Sequence, residues 1–166
     1  MQLEALPLAL YAILLTVAVR LLWRFVRRRR RRIRRLEDLL ALTPAQFEEA
    51  IAALFRRMGY RSVERTGKAG DLAADIRCTD KAGRNLVVQC KRYAPGNRVG
   101  SRDIQTFIGM ATVHHRAEQG FFVTTSGFTE PARDLAEEHS LILYDGEDLG
   151  RLLSRLRISN IWRDVA

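Results

Sequence analysis

At 166 residues, with 28 Lys and Arg against 19 Asp and Glu, the chain carries a net charge of +9 and a pI near 10.5, and its length suits one globular domain with an appendage. Ten of the basic residues lie between Arg20 and Arg35, whereas 18 basic and 18 acidic residues follow from Leu36 onward. This excludes a uniformly basic nucleic-acid binder, so any DNA contact made by the rest must come from a local patch. The two cysteines, Cys78 and Cys90, exclude a disulfide framework and fit buried free thiols in a reducing compartment.

The first predicted element is an apolar helix. Leu6 to Val19 is free of charge, and continuing to Trp23 gives 18 residues, roughly 27 Å of helix. Arg20 can snorkel at one end, Trp23 stands where an interfacial aromatic would, and RRRRRRIRR follows. A secretory signal would show the reverse order of basic and apolar residues. The expectation is a single-pass anchor over residues 1–26 in the inner membrane, N-terminus outside, with the remainder cytoplasmic because arginines stay inside. An interfacial helix held on anionic lipid, or a short oligomerisation helix with a nucleic-acid-binding arginine run, fits the same composition.

An arginine-rich juxtamembrane linker is assigned to residues 27–41, a globular domain to 42–156 and a tail to 157–166. Thr43 as N-cap, Pro44 at the first helical position and Gln46 closing a capping box, with Leu42 and Phe47 as a hydrophobic staple, predict a helix start. Phe47, Ile51, Leu54, Phe55 and Met58 trace its apolar face up to a Gly59 cap. Strands are predicted over Tyr60–Arg65, Ala74–Thr79 and Asn85–Lys91, the last two joined by a hairpin-length turn. A helix over Asp103–His115 follows, then a strand (Phe121–Thr125), a helix capped by Thr129 and running to His139, a strand (Leu141–Tyr144) and a helix from Glu147 to Leu156. The order αβββαβαβα predicts an α/β fold, a mixed sheet flanked on both faces by helices, preceded by one transmembrane helix.

Alternation in the second strand puts Asp75 and Arg77 opposite Ala74, Ile76 and Cys78; in the third, Val87, Gln89 and Lys91 share a face. Two strands joined by a short turn can thus bring Asp75, Gln89 and Lys91 to one sheet edge. The Asp75 carboxylate, the Gln89 side-chain carbonyl and the main-chain carbonyl of Cys90 are oxygen donors suited to Mg²⁺ or Mn²⁺, and a lysine beside them can stabilise charge developing on a phosphodiester. By spacing alone, a strand that ends in lysine is as readily a solvated end. His114 and His115, adjacent on a helix, diverge too far to chelate one metal, and His139 reads as another helix-end residue. Lys68, Arg92, Arg98 and Arg102 lie in loops around the expected site, where they could hold phosphates or simply face solvent.

The segments LTPAQFEEAIAALFRRMGYRSVERTGKAGDLAADIRC, NLVVQCKRY, VGSRDIQTFIGM, GFFVTTSGFTEPARDLA and LILYDGEDL, taken in order, resemble the catalytic domain of the Mrr-like restriction endonucleases. That family falls in the PD-(D/E)xK nuclease superfamily, in its variant with Gln in place of the second acid. The resemblance runs from about Leu42 to Leu153. It implies a restriction-endonuclease-like fold, a metal-dependent endodeoxyribonuclease acting on foreign or modified DNA, and catalytic roles for Asp75, Gln89 and Lys91, with metal on Asp75, Gln89 and the Cys90 carbonyl. It adds Glu48, an acid on the first helix that often faces the family's site, although acids in a first helical turn also suit the macrodipole. Asp71, Lys68, Arg92, Thr124, Thr125 and Ser126 become candidate substrate-binding residues. Asp71 serves equally as a turn residue, and the hydroxyls equally as caps. Where the family shows a second glycine two residues after its Gly-Asp pair, this chain has Ala73.

DNA is thus one expected partner, and membrane lipid, met by the N-terminal helix and arginine block, another. Cutting both strands of a duplex calls for two sites and hence a homodimer. The alternative on the same fold is a catalytically inactive nucleic-acid-binding or membrane-scaffold protein.

Overall fold

The computed structural model describes residues 13–20, 35–66 and 73–156. Helix α1 covers residues 13–20 and is exposed. Among the described residues no helix is long and apolar enough to cross a membrane. Most of the expected anchor, nearly all of the arginine block and the 157–166 tail lie outside the described residues, as do Lys68 and Asp71.

From Leu36 the elements run α2 (Leu36–Leu40), α3 (Pro44–Met58), β1 (Arg61–Arg65), β2 (Ile76–Thr79), β3 (Asn85–Lys91), α4 (Ser101–Gly109), a π-helical turn (Met110–His114), β4 (Gln119–Thr124), α5 (Glu130–Glu138), β5 (Ile142–Tyr144) and α6 (Gly146–Leu156). The five strands form one sheet in the order β1-β2-β3-β4-β5. The first three are antiparallel and the last two join β3 in parallel, so the sheet is mixed as expected.

One segment departs from its expected role. Residues 36–40 are not linker: Leu39 is fully buried and Leu36 packs on the same core cluster, which joins α2 to α3 and α6. The Asp38 carboxylate accepts from the Arg35 N–H at 3.1 Å, but with arginine at the N-cap position and no periodicity over several turns, five residues next to an arginine run carry little helical signal.

Helix α3 starts where local chemistry dictates. The Gln46 main-chain N–H donates to Thr43 Oγ1 (3.3 Å), the Thr43 N–H donates to Gln46 Oε1 (3.0 Å), and Gly59 ends the helix at φ 94°. Its apolar face lies on one side of the sheet with Ile76, Cys78, Leu86, Val88, Phe121 and Val123. Helices α4 and α5 cover the other side, over Val87, Phe122, Val99 and Phe128. Phe47, Phe55, Phe107, Phe121 and Phe122 are fully buried, each worth about 1.5–3 kcal/mol in apolar transfer.

The second strand is shorter than predicted, beginning at Ile76 instead of Ala74. Ala74 lies with Val87 and Phe122 on the α4–α5 side, opposite Ile76 and Cys78, so alternation does not extend back to it. Ala73 just before it adopts φ 60°, the left-handed region that glycine enters freely and that costs an L-residue roughly 1–2 kcal/mol. The predicted helix over Asp103–His115 is α4 followed by the wider π turn, with Arg116 after it at φ 48°.

Candidate active site

The end of β3 is the geometric centre of the site, because it is flanked by antiparallel β2 and parallel β4. Asp75 is tied in by its main chain on both sides. Its N–H donates to Val88 O (2.9 Å) and its carbonyl accepts from the Thr66 N–H (2.9 Å). Thr66 also donates its hydroxyl to Ala74 O. The Asp75 side chain is buried, and its Oδ2 accepts from Gln89 Nε2 (2.6 Å) and from the Cys90 main-chain N–H (2.6 Å). Two short bonds from neutral donors to one carboxylate oxygen are the charge-assisted type that holds an anion in a buried place.

Gln89 is itself buried, and its Oε1 has no hydrogen-bond partner. A buried carbonyl oxygen beside a carboxylate, without a hydrogen-bond partner among the described residues, is what a hard cation site would use. Among the described residues no three His, Cys, Asp or Glu side chains converge at ligand distance. A metal here would therefore rely on Asp75, the Gln89 amide oxygen and main-chain carbonyls, Cys90 among them, completed by water and phosphate oxygen. That donor set fits Mg²⁺ or Mn²⁺ better than a soft metal.

Lys91, the last residue of β3, is held from two sides. Its carbonyl accepts from Thr124 Oγ1 (2.8 Å) and its ammonium pairs with Asp103 Oδ1 on α4 (3.7 Å). Glu48 on α3 is partly buried and pairs with Arg65 Nη1 at 3.0 Å, while Arg65 Nε also reaches Glu49 at 3.6 Å. The Cys90 thiol is pushed well above its ordinary value by burial, then by the negative charges of Asp75 and Glu48. Both carboxylates thus act on the residue between Gln89 and Lys91.

Four candidate substrate contacts, Thr124, Thr125, Ser126 and Arg92, are engaged within the protein. Thr124 and Thr125 are buried, and their hydroxyls donate to main-chain carbonyls: Thr124 to Lys91 O and Thr125 to Tyr93 O (2.7 Å). Ser126 N–H in turn donates to Thr124 Oγ1 (3.2 Å). The two threonines clamp the exit of β3. Arg92 turns inward, with Nη1 donating to Leu40 O of α2 at 3.2 Å, so it ties α2 to the end of β3. Its Nε is buried without a partner. His115 Nδ1 lies 3.0 Å from Arg77 Nη2, and the His114 and His115 rings meet edge to face. His139 is the C-cap of α5.

Asp103, Arg65 and the roles of the threonines had no signal in spacing, since each depends on a partner from another element.

Residues 39–153 match the restriction endonuclease family Mrr_cat. The chain belongs to that family. Mrr_cat membership is supported by the type IV methyl-directed restriction enzyme EcoKMrr of Escherichia coli strain K12, 39% identical over 125 residues, which cover 71% of this chain and 40% of that protein. The Mrr_cat chain thus spans less than half the length of this curated relative. Among solved structures, the DNA modification-dependent restriction endonuclease AspBHI matches with a TM-score of 0.59 at 21% identity, covering 78% of this chain and 37% of that one. The MspJI restriction endonuclease, in complex with a 27-mer oligonucleotide, matches with a TM-score of 0.53 at 20% identity over 73% and 30%. At these identities the structural likeness concerns the fold: a restriction-endonuclease-like mixed sheet with helices on both faces.

Proposed function

We propose that this chain is a divalent-metal-dependent endodeoxyribonuclease that hydrolyses DNA phosphodiester bonds, with Asp75, Gln89 and Lys91 at its catalytic centre and modified DNA as the substrate class. The observation that carries the reading is the buried Asp75–Gln89 contact, 2.6 Å long, with Gln89 Oε1 left without a partner beside it. The relatives support the substrate class, since EcoKMrr is a methyl-directed enzyme and AspBHI a modification-dependent one by name.

In this reading Asp75, Gln89 and the Cys90 carbonyl would hold the cation. When bound, it supplies Lewis-acid polarisation of the scissile phosphate and makes an attacking water more acidic. The chain's own residues do the rest. The Cys90 N–H and the ladder bonds of Asp75 keep the carboxylate aimed before substrate arrives, which removes reorganisation from the reaction. The Lys91 ammonium faces the charge that develops on the phosphate oxygens, and Thr124 fixes the main chain that presents it. Glu48, paired with Arg65, adds negative charge toward the same end of β3.

The N-terminal apolar run and arginine block are read from the sequence as an inner-membrane anchor that keeps this domain on the cytoplasmic side, in a defence role against foreign DNA. A homodimer would provide one site per strand.

The test is cleavage of methylated and unmethylated plasmid by the full chain with Mg²⁺ or Mn²⁺, beside Lys91→Ala and Asp75→Ala. Metal-dependent cutting, lost in both variants, is expected. A wild-type protein that binds DNA and cuts neither plasmid with either metal would overturn the enzyme reading in favour of a binding module. Fractionation of full-length protein into the membrane pellet, and its release on removal of residues 1–26, tests the anchor.

A further inference from the structure

Lys91 stands at the end of a strand with two kinds of anchor, and one is at its main-chain carbonyl, which accepts from the Thr124 hydroxyl and, at 3.4 Å, from the Thr125 N–H. The other is Asp103, in the first turn of α4, whose Oδ1 lies 3.7 Å from the Lys91 ammonium. The two side chains are 37% and 33% exposed, and ion pairs this open to water contribute little to stability. Fold maintenance is therefore a poor reason for the contact.

What the contact does have is a fixed platform. The segment between Lys91 and α4 is fastened at three points to the segment that leads from β4 to α5: Thr125 Oγ1 donates to Tyr93 O at 2.7 Å, Val99 N–H to Gly127 O at 2.9 Å, and Thr129 N–H to Val99 O at 3.0 Å. Val99 is fully buried, and Gly100 then caps α4, with Asp103 N–H bonded to Gly100 O (3.1 Å). The first turn of α4 is thereby held relative to the end of β3, and Asp103 with it. A flexible four-carbon lysine stem samples many directions unless a counter-charge selects one.

We infer that Asp103 is a positioning residue for Lys91, holding its ammonium over the site until a phosphodiester anion takes its place. This rests on the nuclease reading of the site. Asp103 itself touches no reacting atom. Its loss leaves substrate binding nearly intact while misplacing the lysine, and displacements of about 1 Å at a reacting group cost up to roughly a hundredfold in rate.

The experiment compares the full-length wild type with Asp103→Asn, which keeps the shape and removes the charge, and Asp103→Glu, which restores the charge on a longer stem. Two readouts are taken. The first is the rate of Lys91 acetylation by an amine-reactive ester without metal or DNA, followed by mass spectrometry with the exposed Lys81 as internal reference. The second is kcat and KM for plasmid cleavage with Mg²⁺. The expected result is faster Lys91 acetylation in Asp103→Asn with Lys81 unchanged, a kcat about tenfold lower or worse, KM within about twofold, and both readouts recovered at least in part by Asp103→Glu. A role confined to the charge of the helix N-terminus moves neither Lys91 labelling nor the kcat/KM split. Unchanged Lys91 labelling overturns the inference whatever cleavage does, as does altered labelling with kcat at the wild-type value. If labelling responds but no protein, wild type included, cuts DNA, Asp103 stands as the residue that orients Lys91, and the nuclease reading alone fails.

Discussion

Gln89 donates its side-chain amide to Asp75 Oδ2 across 2.6 Å, joining the third strand to the residue just before the second. The bond leaves the Gln89 carbonyl oxygen buried and unpartnered beside a carboxylate, which makes the pair sensitive to what else is present. Replacing Gln89 by Glu sets two buried carboxylates side by side. Such a variant is expected to be less stable than wild type without metal and to show a larger rise in Tm on addition of Mg²⁺ or Mn²⁺, because a cation relieves the repulsion. Thermal melts with and without metal check this, and equal metal-induced shifts in both proteins would count against a cation at Asp75 and Gln89.

Thr124 is the second point of control. Thr124→Val keeps the shape and removes the donor to Lys91 O and the acceptor of the Ser126 N–H. A loss of about 1–3 kcal/mol is expected, with Thr124→Ser close to wild type. Denaturant midpoints of the two variants measure it. If instead the hydroxyl served substrate, Thr124→Val would keep its stability and raise KM.

Alkaline pH acts through the thiol of Cys78. Burial first, then the charge of Asp80, pushes it from 9.0 up to about 11. Below pH 9 the thiol is neutral in both the folded and the unfolded chain, so its contribution is fully present. Between pH 9 and 11 the unfolded chain ionises while the folded chain does not, and stability falls by about 1.4 kcal/mol per unit at most. Cys90, Tyr60 and Tyr144 are also raised, with burial first in each case, and act in the same sense. Urea midpoints at pH 8 and pH 10.5 are expected to differ more for wild type than for Cys78→Ala. Parallel pH dependence in the two proteins would sink this account.

Leu39 probes the helix that adjoins the arginine-rich segment. It is 1% exposed within the core cluster that unites α2, α3 and α6. Leu39→Ala in the full chain is expected to cost about 2–5 kcal/mol, readable by urea unfolding. A cost under 1 kcal/mol would mean that α2 is peripheral.

Much of the architecture was legible from spacing because the interactions that start and end its elements are local. Thr43 and Gln46 bond to each other three residues apart, Gly59 supplies a left-handed cap, and alternating apolar residues set the two faces of β3. The same alternation put Gln89 and Lys91 on one face and Asp75 beside them across a short turn, and family resemblance added Glu48. It failed at Ala74, which lies before β2 begins and is buried on the opposite side of the sheet from Ile76 and Cys78. It also had nothing to say of α2, which has no periodicity of its own and is stabilised by Leu39 entering a core made elsewhere.

The sequence by itself determined which residues alternate, where helices start, and which side chains are able to hold a cation or face a phosphate. Only the tertiary structure decided how those side chains are used. Thr124 and Thr125 looked available to substrate until the parallel pairing of β3 and β4 brought their hydroxyls to the carbonyls of Lys91 and Tyr93. Arg92 looked like a phosphate ligand until α2 came to rest beside it. Asp103 became the partner of Lys91 only once the segment that leads from β4 to α5 had fixed the start of α4. Bonds within one turn leave a fixed spacing along the chain, whereas bonds across the sheet have partners chosen by strand order, which no spacing records.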